Sequence, residues 1–216
     1  MFNNFLFYSQ FGIEKEVNIL LFTMAKFNRN GKAACWTAGV IKKLRSRLTS
    51  KRQRLIFEIS LWTGERMGAI TQLRVEDVYD DKGRVRKHLV YRGETRKSNR
   101  WGSAKDRIVL IHEDLRLHLQ QYQQPESGYL FPSDSKSGHI TRRGVDYYWR
   151  SRFEDMGITG FSTHSSRRWV INRLAKSHVR SSIIAETMGM EIKTVYHYLD
   201  EDPESCDEAI ANLKVA

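Results

Sequence analysis

The amino-acid sequence predicts an α+β fold that is mainly α-helical, with a small antiparallel β-sheet at one edge. In most segments the apolar residues recur every three or four positions, which is the period of an amphipathic helix. Residues 87–91 and 107–111 instead have the pattern of short strands joined by a long connection. With 216 residues, 40% of them hydrophobic, the chain can bury a substantial core.

We expect two regions, an N-terminal extension over residues 1–30 and one domain over residues 31–216. The first twenty-two residues are rich in Phe, Leu and Tyr, but three charged residues at positions 14–16 interrupt them. They therefore contain no apolar run of about 18 residues, so neither a transmembrane helix nor a signal peptide is predicted. Met24 is a plausible start of the protein. Residues 203–215 should form a tail helix, because Pro203 suits a first helical turn.

The balance of charge points to nucleic acid. Lysine and arginine outnumber the acidic residues by 36 to 25, and the formal net charge is +11. Such a protein gains affinity for a phosphate backbone by releasing condensed counterions, so double-stranded DNA is the first partner to expect. Cys35 and Cys206 are far apart and lack zinc-ligand spacing, which fits a reducing cytoplasm. No metal and no cofactor is predicted, since His112 and His118 match no metal motif.

The first predicted helix, over residues 36–48, is followed by a core helix over residues 55–61. The first carries a basic side that is either a solvated face or a surface lying along DNA. The core helix stops at Thr63 and Gly64, and Arg66 then falls at the head of the next helix. An arginine there is placed to hold a phosphate, or else to neutralise Glu65. The basic side comprises Lys42, Lys43, Arg45 and Arg47, continued by the run at 51–54.

The connection between the two strands, residues 93–106, is more basic than a plain hairpin requires. A lysine on such a hairpin can protonate an oxygen that leaves a phosphate, or the loop can simply be solvated. Further helices are predicted at residues 113–121, 140–153, 183–188 and 195–199. His164 and Arg167 open another, where side chains three positions apart share a face. An imidazole beside a guanidinium suits a phosphate under attack, although surface pairs of this kind are common.

Taken together, these segments resemble the tyrosine recombinase, or phage integrase, family from about residue 55 to residue 200. The sequence Thr-Gly-Glu-Arg at 63–66 is similar to the first arginine box of the family. Leu-Arg-Val-Glu-Asp-Val at 73–78, Leu-Phe-Pro at 130–132 and His-Ser-Ser-Arg-Arg at 164–168 follow in the family's order. Met-Gly-Met at 188–190, with Thr194 and Tyr198, resembles its final box.

The resemblance implies a site that cleaves and rejoins DNA without a cofactor. Tyr198 would attack a phosphodiester and form a 3′-phosphotyrosine, while Arg66 and Arg167 would hold the non-bridging oxygens. His164 would handle a proton or orient the phosphate, and Lys97 would be the general acid. The alternatives are Lys105 for Lys97 and Tyr196 for Tyr198.

Three departures from the family pattern affect these expectations. Met190 stands where relatives usually have a histidine or tryptophan, and Ala69 stands where they often have a carboxylate. A missing donor in such a site costs about 3 to 4 kcal/mol of transition-state stabilisation, which predicts slow chemistry. Only about fifty residues precede the resemblance, too few for the usual separate DNA-clamping domain.

The expected function is therefore a site-specific recombinase of a phage, plasmid or other mobile element, in a bacterial or archaeal cytoplasm. The alternatives are a DNA-binding accessory protein on a catalytically weakened recombinase fold, and a tyrosine topoisomerase or nicking enzyme. The family's tail helix commonly packs on a neighbouring subunit. Residues 203–215 would then support dimers and tetramers on DNA, without membrane contact.

Overall fold

A computed structural model describes residues 32–96 and 105–199 of the chain. In this part of the chain, helices predominate and two short strands pair, which confirms the predicted fold class. None of the described helices is long and apolar enough to cross a membrane. The helices are α1 (Ala38–Arg47), α2 (Lys51–Thr63), α3 (Met67–Ile70), α4 (Glu113–Gln120), α5 (Arg142–Asp155), α6 (Ser165–Lys176), α7 (Ser181–Met188) and α8 (Ile192–Tyr198), and the strands are β1 (His88–Tyr91) and β2 (Arg107–Leu110).

Helix α2 lies at the centre of the main hydrophobic core. The side chain of Ser50 caps its first turn by accepting a hydrogen bond from the N–H of Gln53. Apolar residues are buried on several sides of the helix, as expected when neighbours surround it. Phe57 meets Trp36 and Trp149 edge to face, with ring centroids 5.8 and 5.6 Å apart. The helix therefore fixes the positions of the elements packed around it.

The two strands form an antiparallel sheet whose register pairs His88 with Leu110 and Tyr91 with Arg107. Both predicted strands are confirmed to within one residue at their ends. On β1 the side chains of Leu89 and Tyr91 are buried, while on β2 Ile108 and Leu110 are largely exposed. The sheet thus buries one side against the core and brings Arg107 inward at the start of β2.

Helix α6 is anchored to α2 by a buried chain of hydrogen bonds. The indole of Trp36 donates to Ser166 Oγ at 3.0 Å, and Ser166 Oγ lies 2.9 Å from Ser60 Oγ. Arg168 also donates to the carbonyl of Ala33 at 2.8 Å. Because the hydroxyls of Ser60 and Ser166 and the indole of Trp36 are buried, losing one of them would leave a polar atom unsatisfied, so the register of α6 against α2 is fixed.

Part of the basic side predicted on α1 and early α2 faces inward. Arg45 contacts the fully buried Glu58 through two hydrogen bonds of 2.9 and 2.7 Å, and Arg54 donates to the same carboxylate at 3.0 Å. The sequence predicted either a solvated face or a surface lying along DNA, and neither interpretation predicted these ion pairs with Glu58. Lys42 and Lys43 remain exposed, as does Arg47, so the exposed basic surface is narrower than the sequence predicts.

Gly64 ends α2 in the left-handed conformation, with φ of +61°. It also lies very close to other elements. A Cβ at this position would lie 2.8 Å from Met188 Cε and 2.9 Å from Val170 Cβ. The backbone after α2 therefore touches α6 and α7 directly, and both the conformation and the space require glycine.

We predict that Gly64→Ala lowers the free energy of unfolding by about 2 to 4 kcal/mol, from left-handed strain plus overpacking. Gly39→Ala is the matched control, because Gly39 lies in α1 with no atom within 4 Å of its added Cβ. That control should be neutral or slightly stabilising. Urea unfolding of both variants would check this, and equal effects would contradict it.

Candidate active site

The predicted site residues come from four segments whose elements contact one another. Arg66 follows the end of α2, and His164 and Arg167 begin α6. Met190 lies between α7 and α8, and Tyr198 is the last residue of α8. Their meeting follows from the contact of Gly64 with α6 and α7.

Arg167 is the most enclosed of these residues, with a side chain that is 1% exposed. Its Nη1 donates to the carbonyl of Gly64 at 3.0 Å, and its Nη2 donates to the carbonyl of Met188 at 2.8 Å. These carbonyls belong to the C-terminal ends of α2 and α7, where the helix dipole is negative. Two helix ends therefore hold this guanidinium in place.

The charge state of Arg167 reflects its surroundings. Burial is the largest influence and lowers the pKa of Arg167 to about 10, while the carboxylate of Glu65 opposes that shift. Arg66 lowers this pKa further by repulsion, and Tyr198 raises it. Arg167 therefore remains a cation at neutral pH, and its pKa responds to the charges of Arg66 and Tyr198.

A buried carboxylate that the sequence did not identify as part of the site lies at its centre. Glu65 is 1% exposed and lies 2.9 Å from Arg107 Nη1, 3.3 Å from Arg96 Nε and 3.6 Å from Arg167 Nη1. It also accepts a hydrogen bond of 2.7 Å from the backbone N–H of Arg66. One carboxylate thus holds three arginines drawn from distant parts of the chain.

Arg107 completes this cluster from the start of β2. Its Nη2 donates to the carbonyl of Thr63 at 2.8 Å and contacts Met188 Sδ at 3.4 Å. The hydroxyl of Tyr91, its partner across the sheet, lies 2.8 Å from Thr63 Oγ1. The sheet is therefore joined by polar contacts to the loop that carries Glu65 and Arg66.

The sequence contained one signal for this cluster. Arg96 lies near the start of the basic connection at residues 93–106, and Arg107 begins the predicted strand that follows it. An arginine on the buried side of a strand requires an acceptor, and Glu65 is a nearby acid in a buried loop. Spacing alone could not show which arginines it binds.

The pKa of Glu65 lies below its usual value of 4.5. Burial alone would raise this pKa, but Arg107, the N–H of Arg66 and Arg167 together lower it by more. The carboxylate is thus ionised at neutral pH, and its partners are paired with a negative charge.

Arg66 is the N-cap residue of the short helix α3 and is half-buried. The alternative prediction, that its side chain neutralises Glu65, is not supported, since the ion pairs of Glu65 are with Arg96, Arg107 and Arg167. His164 is the N-cap residue of α6 and is exposed. Its backbone N–H donates to Ser162 Oγ at 3.2 Å. The backbone that carries each of these two side chains is therefore held by a local hydrogen bond.

The two candidate tyrosines differ in their surroundings. Tyr196 is 60% exposed, whereas Tyr198 is half-buried and packs against a cluster that joins α6, α7 and α8. The carbonyl of Tyr198 accepts a hydrogen bond of 2.7 Å from Asn172 Nδ2 on α6. Tyr198 is therefore the tyrosine tied to the helix that carries Arg167.

Neither Met190 nor Ala69, the two residues that depart from the family pattern, places a hydrogen-bond donor in the site. Met190 packs against the same cluster as Tyr198, and Ala69 is 2% exposed within the main core.

Lys97 and the tail at 203–215 lie outside the described residues. Lys105 is exposed, and its carbonyl accepts a hydrogen bond from Arg96. His112, weighed above as a metal ligand, instead stacks on Trp62 at 4.1 Å.

Comparison with known proteins yields one family and a set of similar folds. The model of the phage integrase family matches residues 38–205. No curated protein sequence matches the chain significantly. The integrase from mycobacterium phage Brujita is 20% identical, with a TM-score of 0.54, over 72% of this chain and 50% of that one.

Two further solved structures are similar in fold. XerA recombinase is 17% identical, with a TM-score of 0.64, over 88% of this chain and 67% of its own. The Tn1549 transposon integrase, in complex with a circular intermediate DNA, is 13% identical, with a TM-score of 0.65. The match covers 85% of this chain and 67% of the Tn1549 integrase chain. The chain thus spans about half the length of the Brujita integrase and two thirds of the other two.

We predict that Glu65→Gln lowers the free energy of unfolding at pH 7 by about 3 to 5 kcal/mol, because three arginines lose their counter-charge. The pKa of Glu65 is lowered on folding, so its contribution is complete above the unfolded pKa and is lost as pH falls through the folded value. The difference between the native protein and Glu65→Gln should therefore narrow below about pH 4.5.

Urea unfolding at pH 7 and pH 3 measures this difference. Glu76→Gln is the matched control, since Glu76 is 53% exposed and pairs with Arg92 at the surface. Its effect should stay under about 1 kcal/mol. A Glu65→Gln effect that is unchanged at pH 3 would contradict the prediction.

Proposed function

The chain belongs to the phage integrase family, and on that premise we propose that it is a site-specific recombinase that breaks and rejoins DNA through a 3′-phosphotyrosine. One observation carries the proposal. Arg167 is fixed between two helix ends, one of which lies two residues before Arg66, and the helix that carries Arg167 also holds the carbonyl of Tyr198 through Asn172. Two guanidinium groups beside a tyrosine form a suitable site for attack on a phosphodiester.

In the proposed reaction, the oxygen of Tyr198 attacks the phosphorus of the scissile phosphodiester. A new bond joins phosphorus to the tyrosine oxygen, and the bond from phosphorus to the 5′ oxygen breaks. The tyrosine gives up its proton to His164 or to water, and the departing 5′ oxygen receives one from a general acid, for which Lys97 is the first candidate and Lys105 the second. Attack by a 5′ hydroxyl from another strand reverses these steps and completes recombination.

The energy of the broken phosphodiester is retained in the phosphotyrosine, so rejoining consumes no nucleotide. Arg66 and Arg167 would stabilise charge on the non-bridging oxygens as the transition state forms. His164, exposed at the start of α6, would exchange a proton or orient the phosphate. The buried position of Arg167 supports this role, because a fixed charge needs no reorganisation during the reaction.

A second candidate is supported by a specific observation. Met190 packs into an apolar cluster and Ala69 into the core, so neither supplies the polar group that the family pattern leads one to expect. An accessory protein that binds DNA without cutting it would not need these polar groups, so it could keep the fold without them. The two candidates differ in whether a covalent intermediate forms.

We predict that the native protein forms a covalent protein–DNA band with nicked suicide duplexes that tile the DNA flanking its coding region. Tyr198→Phe should abolish the band, because it removes the attacking oxygen, while Tyr196→Phe should retain it. The two variants each remove one hydroxyl from the same helix, so they form a matched pair. A denaturing gel measures the band.

The outcomes separate the candidates. A band lost with Tyr196→Phe and kept with Tyr198→Phe would refute the assignment of the nucleophile. Absence of a band on all duplexes, together with salt-dependent binding of the same DNA, would favour the accessory protein. Relaxation of supercoiled DNA with no preference for site would favour a topoisomerase or nicking enzyme.

We also propose that the protein assembles on DNA as dimers and tetramers through residues 203–215. Deleting this tail should leave the monomer folded and remove cooperative binding, because the apolar residues Ile210 and Leu213 would be the contacts. The double change Ile210→Ser, Leu213→Ser should reproduce the deletion, while Lys214→Ser should not. Native gel shifts and sedimentation measure assembly, and unchanged cooperativity in the deletion would refute the proposal.

A further inference from the structure

Arg96 lies inside the candidate site although no part of the family pattern designates it. Its side chain is 7% exposed, and it follows the 3₁₀ turn Gly93–Thr95 at the exit of β1. Its Nε lies 3.3 Å from Glu65 Oε2, while Arg167 Nη1 lies 3.6 Å from the other oxygen of the same carboxylate. The two guanidinium groups are therefore neighbours that share one acid.

The far end of Arg96 lies against the backbone beside Met190. Gly189 has φ of +59°, and a Cβ added there would overlap Arg96 Nη2 and lie 3.3 Å from its Cζ. Gly189 directly precedes Met190, the position where a phosphate-binding donor is missing. The absence of a side chain at Gly189 thus leaves the space that the guanidinium fills.

The hydrogen bonds of Arg96 leave one nitrogen available. Its Nη1 donates to the carbonyl of Lys105 at 2.8 Å, and its Nε faces Glu65. Within residues 32–96 and 105–199, Nη2 donates no hydrogen bond, and it lies against Gly189. A guanidinium carries two N–H donors on that nitrogen, so Arg96 is held on two sides and can donate on the third.

From this geometry we propose that Arg96 is a third phosphate-binding arginine, which supplies through Nη2 the donor that Met190 lacks. The proposal rests on the function proposed above, since the ligand is a non-bridging oxygen of the scissile phosphate. Glu65 holds Arg96 and Arg167 at a fixed separation, and the bond to Lys105 ties Arg96 to the connection that carries Lys97. A rigid, charged donor next to Gly189 replaces a histidine or tryptophan donor one residue later.

The first test measures oxyanion binding and does not require a DNA substrate. Inorganic phosphate should raise the thermal midpoint of the native protein above that in sodium chloride of equal ionic strength. We expect Arg96→Gln to raise the phosphate dissociation constant about ten- to a hundredfold, the usual effect of losing a hydrogen bond to a charged group. Arg92→Gln is the matched control, because Arg92 lies four residues earlier and pairs with Glu76 and Asp77 instead.

The second test separates a phosphate contact from a merely structural role. If Arg96 replaces the missing donor, then Met190→His should restore most of the phosphate affinity and covalent-band rate lost in Arg96→Gln. The same change in the native protein should have little effect. A purely structural Arg96 would gain nothing from Met190→His, because the two side chains would not serve the same ligand. Circular dichroism checks that each variant is folded, and Arg96→Lys, which keeps the charge, should lose less than Arg96→Gln.

The results distinguish this proposal from the function on which it rests. Equal phosphate dissociation constants for Arg96→Gln and Arg92→Gln, or no rescue by Met190→His, would overturn the role of Arg96 even if the native protein forms a covalent band. A rise in the phosphate dissociation constant that occurs with Arg96→Gln, does not occur with Arg92→Gln and is reversed by Met190→His would support that role. This would hold even if no DNA duplex gives a band and the recombination mechanism fails.

Discussion

The architecture of the candidate site depends on one buried carboxylate, Glu65, and on the arginines it gathers. Removing a carboxylate from water is costly unless opposite charges and hydrogen bonds compensate. Glu65 receives both from Arg96, Arg107 and Arg167, which come from the exit of β1, the start of β2 and the start of α6. The sheet, the loop after α2 and the helix of the His-x-x-Arg box are thereby fixed to one another.

Close backbone contacts support the same arrangement. Gly64 touches Val170 and Met188, which places its carbonyl within reach of Arg167. On the other side of α6, Asn172 holds the carbonyl of Tyr198. The candidate phosphate-binding residues and the candidate nucleophile therefore share α6 as a common support, and α6 in turn is fixed to the central helix α2 by buried serine hydroxyls.

The sequence predicted what depends on local pattern and missed what depends on three-dimensional pairing. Periodicity and turn residues located the strands and most helices, because these signals lie within a few neighbouring residues. The contacts of Glu65 join residues up to about a hundred positions apart, and nothing in their spacing records which basic residue an acid meets. The same holds for Arg45, which the sequence predicts to be part of a DNA-facing or solvated surface but which binds the buried carboxylate of Glu58. Met190 has no donor because of its residue type, and the donor proposed to replace it, Arg96, comes from a strand exit that the family pattern does not mark.

The helix ends that hold Arg167 also bear on the charge that the site can accept. Each contributes about half a negative charge, so two of them with Glu65 supply about two negative charges against the three guanidinium groups of Arg96, Arg107 and Arg167. Adding Arg66 leaves a surplus of about two positive charges. A phosphodiester carries one negative charge, and a second develops as it becomes five-coordinate. In the proposed reaction the site would thus be close to electroneutral with the transition state bound and positive with the resting phosphodiester, so its charge balance would stabilise the transition state more than the bound DNA.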